Sequence, residues 1–166
     1  MKKNIVLIGM MGSGKSALGC RLAEELDRPF VDMDAYIESR WGDIPTLFLE
    51  GEDYFRDVES QAVVSIARGE HQVIATGGGV ILREANMLRL KAKGGVYFID
   101  RPLSHLMQDV DTSHRPLLQE GKEKLIAIHE ARIDLYRSYA DHIIVNDGSE
   151  EMGYQRLVQA VKEDEA

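Results

Sequence analysis

The run Gly9-Met10-Met11-Gly12-Ser13-Gly14-Lys15-Ser16 restricts this chain more than any other stretch. It fits the pattern G-x-x-x-x-G-K-[ST], and its flanks fit as well. Asn4 to Ile8 reads as a buried strand, and Ala17 to Leu26 reads as a helix with Leu18, Leu22 and Leu26 on one face. Glycines let the backbone turn tightly and aim N–H groups at anionic oxygens, while the positive end of the following helix dipole deepens the same concavity. Gly12, Ser13, Gly14, Lys15, Ser16 and Ala17 are therefore expected to hold the phosphates of a nucleotide. Lys15 would reach the β- and γ-phosphates and Ser16 would ligate Mg²⁺. The bland reading, a glycine turn beside a surface lysine, does not account for the strand before it and the helix after it.

Composition narrows the partners. A formal charge of -8 over 166 residues argues against a general nucleic-acid or membrane surface, since both reward basic faces, so any anion site must be local. The single cysteine, Cys20, excludes an intramolecular disulfide and is expected to be a small buried thiol on the first helix. No uncharged apolar run approaches the roughly 18 residues of a membrane span, and the apolar stretch behind Met1-Lys2-Lys3 is too short for a signal-peptide core. The expectation is one cytoplasmic domain over residues 1–166, acting as a monomer.

Strand and helix signals then alternate. Phe30 to Asp34 reads as a second strand with Asp32 and Asp34 at its carboxyl end, the end at which open α/β sheets bind ligands. Asp43 and Pro45 resemble a helix start, and Phe55, Val58, Ala62 and Ile66 form an apolar stripe flanked by Arg56. Gln72 to Thr76 is a third strand running into Gly77-Gly78-Gly79, Leu82 to Lys91 is helical, and Gly94-Gly95 precedes a fourth strand, Val96 to Ile99. Periodicity is lost from Asp109 to Gly121, as in a mobile lid, and this segment carries Arg115 and Pro116. The next helix runs to about Tyr139, with Arg132 and Tyr136 on the face of Leu125, Ile128, Leu135 and Tyr139. His142 to Val145 makes a fifth strand, and Ser149 caps a last helix. Strands and helices alternating in this way predict an α/β fold of three layers, α/β/α, around a five-stranded parallel sheet.

Six short strings in order give the chain a resemblance to the shikimate kinases, small relatives of the nucleoside monophosphate kinases. They are Gly9 to Ser16, Asp32-Met33-Asp34, Glu52 to Arg56, Thr76 to Gly79, Arg115-Pro116-Leu117-Leu118, and Arg132 preceding Leu135-Tyr136. The resemblance covers nearly the whole chain and implies a P-loop fold with a lid. It implies transfer of the γ-phosphoryl of ATP to the 3-hydroxyl of shikimate, with Mg²⁺, on the route to chorismate and the aromatic amino acids. It also implies roles at matching positions, in an acceptor region of about residues 32–60 and beyond. Arg56 and Arg132 would grip the carboxylate, because a guanidinium donates two parallel hydrogen bonds. Asp34 would orient the attacking hydroxyl, as a base or as a positioning group. Gly77, Gly78 and Gly79 would approach the acceptor with bare backbone, and Asp32 would stand near the metal through water. Arg115, carried by the lid, would join Lys15 in stabilising the transferring phosphoryl group.

Taken singly, Asp32 and Asp34 also read as turn residues, the glycines as a flexible turn, and Arg56 or Arg132 as structural ion-pair partners. Glu59 and His105 are read as surface or supporting residues without chemistry. The chain departs from many of these relatives at Met107-Gln108-Asp109-Val110-Asp111, which lacks the arginine they place before the lid to stack on adenine. A gluconate or nucleoside monophosphate kinase shares the loop and lid, and a nucleotide-binding module without turnover is the alternative from another class.

Overall fold

The computed structural model describes residues 3–108 and 118–166. In chain order its elements are β1 (Asn4–Ile8), α1 (Lys15–Leu26), β2 (Phe30–Asp32), α2 (Met33–Trp41), α3 (Ile44–Leu49), α4 (Glu52–Ile66), β3 (Val73–Ala75), a 3-10 turn (Val80–Leu82), α5 (Glu84–Lys93), β4 (Gly94–Asp100), α6 (Leu103–Gln108), α7 (Leu118–Tyr139), β5 (His142–Val145) and α8 (Glu150–Glu165).

The strands lie in the order β2-β3-β1-β4-β5 and every pairing is parallel. β1 is central, with Leu7 beside Ala75 on one side and Tyr97 on the other. Its five residues are all buried, which is why an unbroken apolar run, rather than an alternating one, encodes it. The alternation of the pleat divides the core in two. Val6, Ile8, Ile74, Val96 and Phe98 face one layer, where Ile37 of α2, Phe55, Val58 and Ala62 of α4, Leu90 of α5 and Tyr136 of α7 cover them. Ile5, Leu7, Val73, Tyr97 and Ile99 face the other, under Leu18 and Leu22 of α1 and Tyr154 and Leu157 of α8. Truncating one of these side chains, for example Leu22→Ala, should cost about 2–5 kcal/mol.

Local differences from the sequence expectations have physical causes. β2 stops at Asp32, because that side chain accepts from the Ala35 N–H and caps α2; Asp34 therefore sits in the first helical turn and not on the strand. Gly94 and Gly95 belong to β4 and pair with Asn4 and Ile5. A Cβ on Gly94 would lie 2.9 Å from the Asn4 carbonyl oxygen, so the close strand approach needs a glycine here. Cys20 is exposed, because α1 buries Leu18, Gly19, Leu22 and Ala23 and Cys20 lies off that face. Residues 118–121, the end of the expected lid, are the first turn of α7. The remainder of that lid, with Arg115 and Pro116, lies outside the described residues.

Candidate active site

Where β1 ends, the chain enters Gly9 at φ 150, and a Cβ there would stand 2.7 Å from the Ile99 carbonyl oxygen and 2.9 Å from Ser13 Oγ. Only a glycine fits that turn. The loop closes with Ser13 N–H donating to Met10 and with Gly14, at φ 104, leading into α1. The first bond of that helix runs from Leu18 N–H to Gly14, and no side chain caps its start. The N–H groups of Lys15, Ser16 and Ala17 thus form an uncapped helix N-terminus at the carboxyl edge of the sheet, a place suited to anions.

Lys15 is buried, and its Nζ donates to the carbonyls of Gly9 at 2.5 Å and Met10 at 2.9 Å. Burial lowers its pKa to about 8; Asp34 and Asp32 oppose the shift and Arg132 adds to it. Ser16 Oγ donates to Asp32 Oδ2 at 3.0 Å, while Asp32 Oδ1 holds the start of α2. One carboxylate therefore fixes both the loop hydroxyl and the helix that carries Asp34. A cavity of about 360 Å³ opens here, lined by the loop from Met11 to Ala17 together with Asp32, Asp34, Thr76 and Gly78.

The far wall of the site is built on Gly77-Gly78-Gly79. Thr76 anchors this turn, its Oγ1 donating to the Leu7 carbonyl at 2.7 Å. A Cβ on Gly77 would lie 3.1 Å from Asp34 Oδ1 and 3.0 Å from Glu59 Oε2, and one on Gly78 would lie 3.5 Å from Arg132 Nη1. One on Gly79 would overlap the Arg56 guanidinium. Asp34, Arg56 and Arg132, from α2, α4 and α7, thus converge on one turn beside the phosphate loop, although the sequence keeps them far apart. Arg56 and Arg132 are 9% and 8% exposed, so their charges are placed where water does little to screen them.

Glu59, read from sequence as a supporting residue, is 1% exposed and belongs to this constellation. Its Oε1 accepts from Arg56 Nη1 at 2.9 Å, and burial raises its pKa against the pull of that guanidinium. Burial likewise raises the pKa of Asp34, with the Asp32 charge adding to the shift and Lys15 opposing it. Two buried arginines, a carboxylate with an elevated pKa and an uncapped helix N-terminus can together bind an anionic polyol next to a phosphate donor.

A parallel sheet of this order, with a glycine loop leaving its central strand for a helix N-terminus, defines a P-loop phosphotransferase fold. A dephospho-CoA kinase from Campylobacter jejuni, 14% identical with a TM-score of 0.58 over 98% of this chain and 97% of its own, shares that fold. Stronger likenesses are specific. A family model for shikimate kinase matches residues 11–162. The shikimate kinase of Clostridium beijerinckii is 49% identical over 164 residues, 98% of this chain and 95% of that one. The solved shikimate kinase of Acinetobacter baumannii in complex with shikimate is 34% identical, with a TM-score of 0.89 over 99% of this chain and 95% of its own. That of Aquifex aeolicus is 32% identical, with a TM-score of 0.84 over 97% of each chain. The chain belongs to the shikimate kinase family.

Proposed function

We propose that this chain transfers the γ-phosphoryl group of ATP to the 3-hydroxyl of shikimate, giving shikimate 3-phosphate and ADP. The observation that carries the reading is the convergence of Arg56, Arg132 and Asp34 on the glycine turn beside the phosphate loop. A cyclic acid with several hydroxyls needs a fork for its carboxylate and an acceptor for its alcohols, and those three side chains supply both. Neither arginine would be required by a neutral acceptor.

In this reading the loop N–H groups and Lys15 hold the donor phosphates, and Arg56 and Arg132 hold the carboxylate. Asp34 orients the attacking hydroxyl and takes its proton as the new O–P bond forms and the bond from Pγ to the β,γ-bridging oxygen breaks. Its raised pKa suits it to that transfer. Ser16 Oγ and Asp32 Oδ2 are hard oxygen donors 3.0 Å apart, which fits Mg²⁺, with Asp32 acting through water. When bound, Mg²⁺ supplies charge neutralisation to the phosphates. Arg115 is assigned to the transferring group on the resemblance of Arg115-Pro116-Leu117-Leu118 to the family pattern.

Among the described residues no helix is long and apolar enough to cross a membrane. Monomeric, cytoplasmic action as a single kinase domain belongs to the proposal, and sedimentation and cell fractionation test it. The activity is tested by incubating the protein with ATP, Mg²⁺ and, separately, shikimate, quinate, gluconate and nucleoside monophosphates. ADP release only with shikimate supports the reading; release with gluconate or a nucleotide instead overturns it.

A further inference from the structure

Tyr136 lies fully buried on α7, one helical turn beyond Arg132, so the two side chains share a face. Its ring stacks on Phe98 of β4, with centroids 5.1 Å apart and planes 19° from parallel. A phenylalanine would fill the same space, so the hydroxyl is what needs explaining. It donates to the Gly78 carbonyl at 2.6 Å and stands 3.8 Å from Met10 Sδ. Arg132 reaches the same turn, since a Cβ built on Gly78 would lie 3.5 Å from its Nη1. Burial raises the phenol above its ordinary pKa, against the pull of Arg132, so the group is a neutral donor at physiological pH.

Gly78 in turn abuts the phosphate loop, because a Cβ built on it would lie 3.4 Å from the Met11 N and 3.7 Å from the Gly9 carbonyl oxygen. Three segments therefore meet at one hydroxyl. The phosphate loop arrives through Met10, the glycine turn through Gly78, and the arginine-bearing helix carries Tyr136 itself. No other side chain among those described hydrogen-bonds the Gly78 carbonyl. Without that donor the half-buried carbonyl loses the bond that fixes its orientation.

We infer that Tyr136 is a positioning residue for phosphoryl transfer, its hydroxyl holding the Arg132 fork and the Gly78 carbonyl in fixed register with the phosphate loop. The inference rests on the reading of Arg132 as a ligand of the acceptor carboxylate. It adds that donor and acceptor halves of the site are aligned through one side chain that touches neither substrate. In-line transfer is sensitive to such alignment, and a misplacement of about 1 Å can cost on the order of 10² in rate.

The test is Tyr136→Phe, which keeps the ring and its stack on Phe98, assayed with ATP, Mg²⁺ and shikimate. The expected result is a fall in kcat/KM for shikimate of about 10- to 100-fold, divided between a raised KM for shikimate and a lowered kcat, with KM for ATP changed less than about twofold. A double-mutant cycle with Arg132→Lys should be non-additive in shikimate affinity, because Tyr136 acts through Arg132. Unchanged kcat/KM with a lowered Tm would show a purely structural hydroxyl and overturn the inference. So would additive effects, or an equal loss toward both substrates. Wild-type protein is assayed alongside. If it releases no ADP with shikimate, the proposed function fails and this inference with it; if it does and Tyr136→Phe matches it, the inference alone fails.

Discussion

Arg56 and Glu59, one turn apart on α4, form a buried ion pair in which Nη1 donates to Oε1 at 2.9 Å. The carboxylate takes one edge of the guanidinium and fixes its plane. Glu52, exposed and 3.6 Å from Nη2, adds a weaker hold. Arg56 is thus oriented before any acceptor arrives, so less side-chain entropy is lost when a carboxylate binds. Glu59→Gln should retain the shape of the side chain but loosen that orientation. We expect shikimate affinity to fall by about tenfold and stability by about 1–3 kcal/mol, measured by ligand titration and thermal melting. Unaltered shikimate affinity would show that Glu59 serves packing alone.

Gly79 has φ -95, a value open to any residue, so Gly79→Ala introduces no backbone strain. Its new methyl would instead overlap the Arg56 guanidinium and force it aside. The predicted outcome is a raised KM for shikimate, by about tenfold or more, with KM for ATP nearly unchanged. A comparable rise in both constants would mean that the substitution disturbs the whole turn and not the arginine.

The lowered pKa of Lys15 has a kinetic signature. In the free enzyme Lys15 loses its proton as pH rises through about 8, and with it the charge that attracts phosphate. Because kcat/KM reports the free enzyme, kcat/KM for ATP should fall above about pH 8, while kcat, governed by the complex, should hold to higher pH. On the acid side, activity should fade as Asp34 is protonated, at a pH above the ordinary aspartate range because its pKa is raised. Asp34→Asn should abolish most turnover and remove that limb. Lys15→Ala should lower the rate by on the order of 10² or more with the fold intact. A flat profile for kcat/KM between pH 7 and 9 would contradict the burial of Lys15 described above.

Arg132→Lys keeps the charge and loses the fork. If the contact with the acceptor is bidentate, shikimate binding should weaken by about 1–3 kcal/mol while ATP affinity stays. A loss of Tm without a loss of shikimate affinity would reassign Arg132 to structure.

What could be read from the sequence was whatever local pattern dictates. β1 coincides with the apolar run at Asn4–Ile8, because a strand buried in the middle of a parallel sheet leaves no alternation to misread, and β5 coincides with His142–Val145 although at the sheet edge only Ile144 is buried. The end of β2 was less legible, since Asp32 serves as a helix cap and its partner Ser16 is brought near only by the tertiary fold. Glu59 could have been found. It falls on the same helical stripe as Phe55, Ala62 and Ile66, and the reasoning that singled out Arg132 on an apolar face applies to it unchanged. Cys20 was placed inside because cysteines are often buried, yet its neighbours Gly19 and Ala23 hold the inner face of α1. That Arg132 and Tyr136 share a helical face was legible in their spacing, but their meeting with Gly78 was not, because the glycine turn lies in a distant segment.

The central claim is that the phosphoryl group goes from ATP to one hydroxyl of shikimate, and the product itself tests it most directly. Protein, Mg²⁺, ATP and shikimate are incubated, ADP is quantified, and the phosphorylated product is analysed by phosphorus–proton correlation NMR. The account predicts one phosphate ester per ADP, coupled to the proton on carbon 3. ADP without a phosphorylated acid, or an ester at another hydroxyl, would contradict it.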